Sequence, residues 1–435
     1  MIRRLNARSG SCLRLTCNVS PPPALPQPSG IAAELVRDFR DAEDIPLTMP
    51  SQLGAETIDI IIDHLHDDRL ALQACSVICK QWLPSSRYHL FSKVLLSPFN
   101  VDKFRKLIET CHDIASIPWH LTLSEFNAYI CWHEGIDITA ANEHLRSVSV
   151  RLRGVTFLRV ERSEGLDSKI LSRWFKIQEL EMVNMSLSSM DDAFKLVHDL
   201  PELQTLSMEN ISWNSCLISR RDYTQRAQRP SFVLRNMRLE GAAFTDVTNW
   251  LLCLSPTPAV RTLHCDSYDP VTSLSRDVLL QSVGHSVHSL HLHLRNRPTG
   301  VEEAIHLIDI SPCTNLRALY LMDIPTHMVY SGWLLDILIQ IVSTDLEELV
   351  LDFSTPDSGS SWVRSFDRMG VARLLGDTKF NKLRVLRIDC RLRVGFIRNL
   401  EYTVERRVDP EVEKSISEGA FSDLDSRGIL QFIHT

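Results

Sequence analysis

Long apolar runs are missing from this chain. No stretch approaches the ~18 residues that a membrane-spanning helix needs. The best candidate, Trp333 to Val342, is interrupted by Asp336, so no membrane contact is expected. Glycine is scarce, with 16 in 435 residues, which leaves few loops able to cradle a phosphate. GxxxxGKS, GxxxxGKT, GxGxxG and HExxH motifs are absent. Gly284-His285-Ser286-Val287-His288 falls short of a GxSxG nucleophile elbow because its last glycine is missing. The eleven cysteines, from Cys12 to Cys390, include no CxxC pair. An odd count without a framework reads as reduced thiols in an intracellular protein, mostly buried as small hydrophobes. Excess positive charge is missing too. Forty-seven basic residues against 54 acidic ones leave −7, which argues against a protein that coats nucleic acid.

What is present begins with a tail. Residues 1–44 read as a disordered tail and linker, since prolines 21, 22, 23, 26 and 28 favour extended chain over a packed core. Arg3, Arg4, Arg8 and Arg14, with no acid before Glu34, also fit a mitochondrial transit peptide. The prolines oppose that reading because they stop an amphipathic helix.

Residues 45–95 read as a helical domain of three short helices. Ile58, Ile61, Ile62 and Leu65 recur at i, i+3, i+4 and i+7, one apolar stripe. Asp67-Asp68 then supply a break and an N-cap for a second helix, on which Leu72, Cys75 and Ile78 share a side. A third segment holds Trp82, Leu90 and Phe91, with Pro84 suited to a helix start. So small a domain is marginal alone and needs a partner or the rest of the chain to cover it.

After a connecting segment, 96–144, an internal repeat runs over 145–395. Its unit is apolar-x-x-apolar-x-apolar. Copies occur at Val155/Leu158/Val160, Ile177/Leu180/Met182, Leu203/Leu206/Met208, Leu234/Met237/Leu239 and Val260/Leu263/Cys265. They continue at Val287/Leu290/Leu292, Leu316/Leu319/Leu321, Leu346/Leu349/Leu351 and Leu383/Leu386/Ile388. The period averages about 28 residues, within the leucine-rich-repeat window. Individual gaps run from 22 to 37 residues. Between copies lie stretches with helical spacing, such as Val247, Trp250, Leu251 and Leu254. Strands joined by helices favour parallel pairing and right-handed crossovers. The expected fold is α/β: a short three-helix domain, then an irregular right-handed αβ solenoid with a curved parallel sheet. Residues 396–435 would cap it.

Residues 53–91 resemble an F-box. The family's first-helix pattern, Leu-Pro-x-Glu-(apolar)-x-x-x-Ile-x-x-x-Leu, is matched by Leu53 through Leu65. Its later Val-Cys-Lys/Arg-x-Trp signature is matched by Ile78-Cys79-Lys80-Gln81-Trp82. The stretch Ile60 to Phe91, the repeats and the closing Phe421 to Phe432 are similar to F-box proteins numerous in mushroom-forming fungi. Gly54 stands where the family has proline and Thr57 where it has an apolar residue. Each departure weakens the helix or its docking face by ~1 kcal/mol. The repeats lack the asparagine ladder of their kind, since Met185, Ile211, Ala242 and Tyr268 stand at those positions.

The resemblance implies a non-enzymatic role: a substrate receptor of an SCF (Skp–cullin–F-box) ubiquitin ligase. The F-box would bind the Skp-type adaptor and, through it, the cullin-RING ligase. Leu53, Ile58, Ile61, Leu65, Leu72, Cys79, Trp82 and Phe91 would lie at or under that interface. The repeats would hold a protein substrate, in the cytoplasm and/or nucleus. No cofactor, catalytic residue or metal is expected. The alternative is a repeat scaffold with a degenerate F-box and no ubiquitin role; an enzyme with an unrecognised site ranks behind both.

On each repeat strand the residue between the last two apolar positions points away from the core. Those residues, Glu181, Ser207, Arg238, His264, His291, Tyr320, Val350 and Arg387, are the candidate substrate face. Arg235, Arg238, Arg261 and Arg387 are candidates to read a phosphate mark. His285, His288, His291 and His293 form the densest histidine cluster. With no acid or cysteine in that segment, surface histidines outrank a metal site. Asp191-Asp192 and Glu302-Glu303 read as first-turn charges at helix starts.

Overall fold

A computed structural model describes residues 54–78, 80–164, 166, 168–187, 189–213, 232–241, 244–266, 270–294, 308–325, 332–355, 370–392, 414 and 421–432. The chain divides after Ile58 into an N-terminal unit, of which 54–58 are described, and a second unit, Asp59–Thr435. The tail expected over 1–44 lies outside the described residues, as do Leu53, Cys79 and Glu302-Glu303.

Three helices come first: α1 (Ala55–His64), α2 (Arg69–Ile78) and α3 (Leu83–Ser92). Asp68 caps α2, its Oδ1 accepting from Ala71 N at 2.9 Å, because the first turn of a helix has free donors. Proline at the start of α3 costs nothing, since that amide has no intrahelical acceptor. Asp59 accepts from the Ser85 hydroxyl, and Asp63 Oδ1 lies 2.8 Å from His89 Nε2. These contacts tie α3 to α1.

A parallel sheet of 12 strands follows. It comprises β1 (Lys93–Leu96), β2 (His120–Ser124), β3 (Phe157–Glu161), β4 (Glu179–Val183), β6 (Thr205–Glu209) and β8 (Asn236–Glu240). It continues through β9 (Thr262–Asp266), β10 (Ser289–His293), β11 (Ala318–Pro325), β12 (Glu348–Thr355), β13 (Val385–Leu392) and β14 (Leu430–Phe432). Lateral order follows chain order throughout. The short strands β5 (Ser186–Leu187) and β7 (Ser212–Trp213) pair separately. Connections carry helices, among them α4 (Val101–Thr110), α5 (Ala128–His133), α6 (Ile138–Arg151), α7 (Ser168–Leu171), α8 (Met190–His198) and α9 (Phe244–Cys253). Then come α10 (Pro270–Val283), α11 (Trp333–Gln340), α12 (Val371–Leu375) and α13 (Ser422–Ser426). This is a leucine-rich-repeat-like α/β solenoid.

Each of the nine apolar triplets forms one strand and its approach, and every member is buried in one continuous core. A single unit cannot cover its own apolar face, so stacking is what removes these side chains from water. The helices close the other side. Phe194 of α8 stacks on Trp250 of α9 at 4.4 Å. No helix among the described residues is long and apolar enough to cross a membrane.

The sheet is longer than the triplets alone indicate. Strands β1 and β2 join it, so the segment 96–144, expected as a connection, contributes a strand of its own. Within 396–435, β14 pairs in parallel with β13. No break separates β12 from β13, which run in register from Glu348↔Val385 to Thr355↔Leu392.

The turns after the strands solve their hydrogen bonding without a buried asparagine ladder. Glu125, Arg162, Asn184 and Asn210 follow β2, β3, β4 and β6 with φ between 48° and 62°. In that conformation each amide reaches a carbonyl of the next strand, as Asn184 N does to Glu209 O at 2.9 Å and Asn210 N to Glu240 O at 3.1 Å. The Asn210 side chain also donates to Asn184 Oδ1 at 3.1 Å. Met185 and Ile211, one residue on, are buried. Ala242 and Tyr268 lie outside the described residues.

Candidate interaction surfaces

Helix α2 is apolar on two sides. Leu72 and Cys75 are buried at 1 % and 5 % exposure. Leu70, Ala74, Val77 and Ile78 recur at i, i+4, i+7 and i+8, which is also one face. That face is open: Leu70 is 77 % exposed, Val77 83 % and Ile78 65 %. Ile60 of α1 and Tyr88 of α3 are exposed as well. An isolated exposed leucine is ordinary, but a whole helix face of them marks an interaction site.

The residues expected at an adaptor interface fall into three groups. Ile58 and Leu72 are buried, at 2 % and 1 % exposure. Ile61, Leu65, Trp82 and Phe91 are half-buried, and Phe91 packs against the core of the sheet. Leu53 and Cys79 lie outside the described residues. The open face of α2 was missed because Leu72 and Cys75 drew Ile78 to their side. The spacing from Leu70 to Ile78 was the signal that pointed the other way.

The second surface is the outward face of the sheet. Strand register brings Glu181, Ser207, Arg238, His264, His291, Tyr320, Val350 and Arg387 into one lateral row. Ser207 and Val350 are nearly buried in it, at 7 % and 5 % exposure. Arg159 precedes them on β3. The guanidinium groups in this row are taken. Arg159 meets Glu161 and Glu181, each at 3.1 Å. Arg238 meets Glu240 at 2.7 Å, and Arg387 meets Glu348 at 3.7 Å.

Between the ion pairs lies a ladder of three rings. His264 stacks on His291 at 3.7 Å, and His291 on Tyr320 at 3.9 Å. Burial pushes His264 down to about 4, helped by the positive charge of Arg238. Burial also pushes His291 down to about 3, helped by His264, His293 and Arg238. The Tyr320 hydroxyl donates to Glu348 Oε2 at 2.9 Å. Burial first, and that bond second, raise its pKa to about 12. All three rings are therefore uncharged at neutral pH. Because the rings cover one another's faces, their free polar atoms lie at the ring edges. His291 Nε2 already lies 3.1 Å from Ser289 Oγ. The fold adds an acid to the histidine cluster, since His293 Nδ1 lies 3.8 Å from Asp323 Oδ2 on the next strand.

The four arginines considered for a phosphate mark separate into two kinds. Arg238 and Arg387 sit in the outward row with carboxylate partners. Arg235 and Arg261 precede their strands, are exposed, and have no ion pair among the described residues.

No protein-family model matches the chain, and no curated protein matches it. Among solved structures it is similar to a chain of the Rad7 and Elc1 complex of yeast, at 13 % identity and a TM-score of 0.35. That match covers 89 % of this chain and 88 % of the other. It is also similar to a chain of the TLR13–ssRNA13 complex, at 13 % identity and a TM-score of 0.32, over 72 % of this chain and 42 % of that one. At these scores neither likeness transfers a partner or an activity.

Proposed function

We propose that this chain is the substrate-recognition subunit of an SCF ubiquitin ligase, with the three-helix segment docking the Skp-type adaptor and the repeat sheet holding a protein substrate. The observation that carries the reading is the two-sided helix α2. Its buried side serves the chain's own core, while Leu70, Val77 and Ile78 wait for a cover. Each of these side chains contributes ~1.5–3 kcal/mol when removed from water. The surrounding sequence, from Glu56 to Leu65 and from Ile78 to Trp82, carries the F-box pattern.

The protein then acts by proximity. Holding a substrate beside a conjugating enzyme raises the effective concentration of its lysines, with no bond made or broken by this chain. The outward row suits a protein substrate. Its charges are internally paired, so it offers shape, ring edges and short polar groups rather than a field of one sign.

Co-expression of the full chain with a Skp-type adaptor from the same source tests the reading. Wild type should co-elute with the adaptor. Leu70→Asp with Val77→Asp should not, because an unpaired charge buried in an apolar interface costs several kcal/mol. Both positions are exposed, so the double variant should keep the wild-type melting temperature. A folded wild type that ignores the adaptor would sink the proposal and leave the scaffold reading.

A further inference from the structure

A second ladder runs along the residues that precede the strands. Arg235 N donates to Gln204 O at 2.8 Å, Arg261 N to Arg235 O at 2.7 Å, His288 N to Arg261 O at 2.8 Å and Arg317 N to His288 O at 2.7 Å. These bonds hold four residues in consecutive lateral positions at the N-terminal edge of β8, β9, β10 and β11. Parallel strands lie ~4.8 Å apart, so the backbone places Arg261 about 5 Å from Arg235 and Arg317 roughly 15 Å from it.

Arg235, Arg261 and Arg317 are exposed, and among the described residues none of the three forms an ion pair. The next rungs do not neutralise them. Glu347 is met by Arg384 at 3.6 Å. Asp345, which feels the charge of Arg317, is bound by Lys382. On the other side the ladder continues through uncharged Gln204 and Gln178. Like charges on neighbouring strands repel, so this row raises the free energy of the chain on its own. The contrast with Arg159, Arg238 and Arg387, each matched to a glutamate, is local and specific.

We propose that Arg235, Arg261 and Arg317 form a docking site for a short acidic segment of a partner protein. Guanidinium forks match carboxylates in geometry as well as charge. An extended chain rising ~3.3 Å per residue covers roughly 15 Å in about five residues. A short occupant also fits what bounds the row. Exposed Asp199 and Glu202 lie in the chain just before Gln204, and Glu347 and Asp345 stand at the far end. A phosphate backbone continuing past Gln204 would meet like charge, and past Arg317 it would meet acids already paired with Arg384 and Lys382; the chain as a whole carries −7. The site does not depend on the ligase reading, and it lies three residues before the outward row on each strand.

The test is fluorescence anisotropy of the full chain with a labelled octapeptide of alternating glutamate and serine. Wild type should bind, and binding should weaken as added salt shortens the Debye length below ~10 Å. Arg235→Ser with Arg261→Ser and Arg317→Ser should weaken it at least about tenfold, since three charge-assisted contacts are lost. The single variant Arg261→Ser should lose a smaller share, and Arg173→Ser with Arg373→Ser, two exposed arginines of the segments between strands, should bind like wild type. Absence of binding to wild type, or undiminished binding to the triple variant, would overturn the proposal. So would a single-stranded oligonucleotide of eight nucleotides that binds through the same arginines more tightly than the peptide.

Discussion

Leu72 and Val77 lie on one helix and meet opposite fates. Leu72 is 1 % exposed and Val77 83 %. Leu72→Ala should cost ~2–5 kcal/mol of stability, the usual loss for a buried leucine, read as a fall in the denaturation midpoint. Val77→Ala should leave stability within ~0.5 kcal/mol while, under the proposed function, reducing retention of a Skp-type adaptor. The reverse pattern would mean that the assignment of the two sides of α2 is inverted. At the same scale, His264 and His291 make stability depend on pH. Their folded pKa values, about 4 and about 3, lie below the ordinary 6.5. Between those values the unfolded chain binds more protons, so stability rises with pH. It is fully present above about 6.5 and is lost as pH falls through the folded values. The melting temperature should therefore drop from pH 7 to pH 4. His264→Phe with His291→Phe keeps the rings and removes the protons, and it should shrink that drop. An unchanged pH profile in the double variant would show that these rings are not the cause.

At the scale of elements, the turns after the strands are the sensitive points. Gly241 follows β8 with φ of 89°, and a Cβ there would come within 3.1 Å of Asn210 Oδ1 and 3.3 Å of Asn210 Cα. Gly241→Ala should cost about 1–2 kcal/mol for the left-handed conformation alone, measured by chemical denaturation. A neutral result would mean that the turn has another accessible shape. These turns were not legible beforehand. The position examined for a ladder asparagine holds Met185 and Ile211, whereas the residues that satisfy the backbone are Asn184 and Asn210, one place earlier. The strands themselves were legible in nine cases, because an apolar triplet is a local pattern. Strands β1, β2 and β14 escaped for particular reasons. Phe91/Val94/Leu96 fits the triplet but straddles the boundary between the helical domain, 45–95, and the connecting segment, 96–144. Pro118 and Arg427 occupy the first triplet position before β2 and β14.

At the scale of the whole molecule, lateral order equals chain order, so each unit is supported mainly by its two neighbours. Hydrogen exchange should therefore be slowest in the central strands, β6 to β11, and fastest in β1 and β14, each of which pairs on one side only. Equal protection across the sheet would indicate a single cooperative unit instead. The sequence by itself determined where nine of the strands lie and which of their side chains enter the core, because periodicity and apolarity act over neighbouring residues. It also held the resemblance to an F-box and the second apolar face of α2. Only the tertiary structure decided which outward residues become neighbours. The register stacks His264, His291 and Tyr320, pairs Arg387 with a glutamate on the adjacent strand, and leaves Arg235, Arg261 and Arg317 in line with no ion pair among the described residues. Coulomb and stacking energies depend on distance in space, and between residues some 25 to 40 positions apart that distance exists only once the sheet has formed.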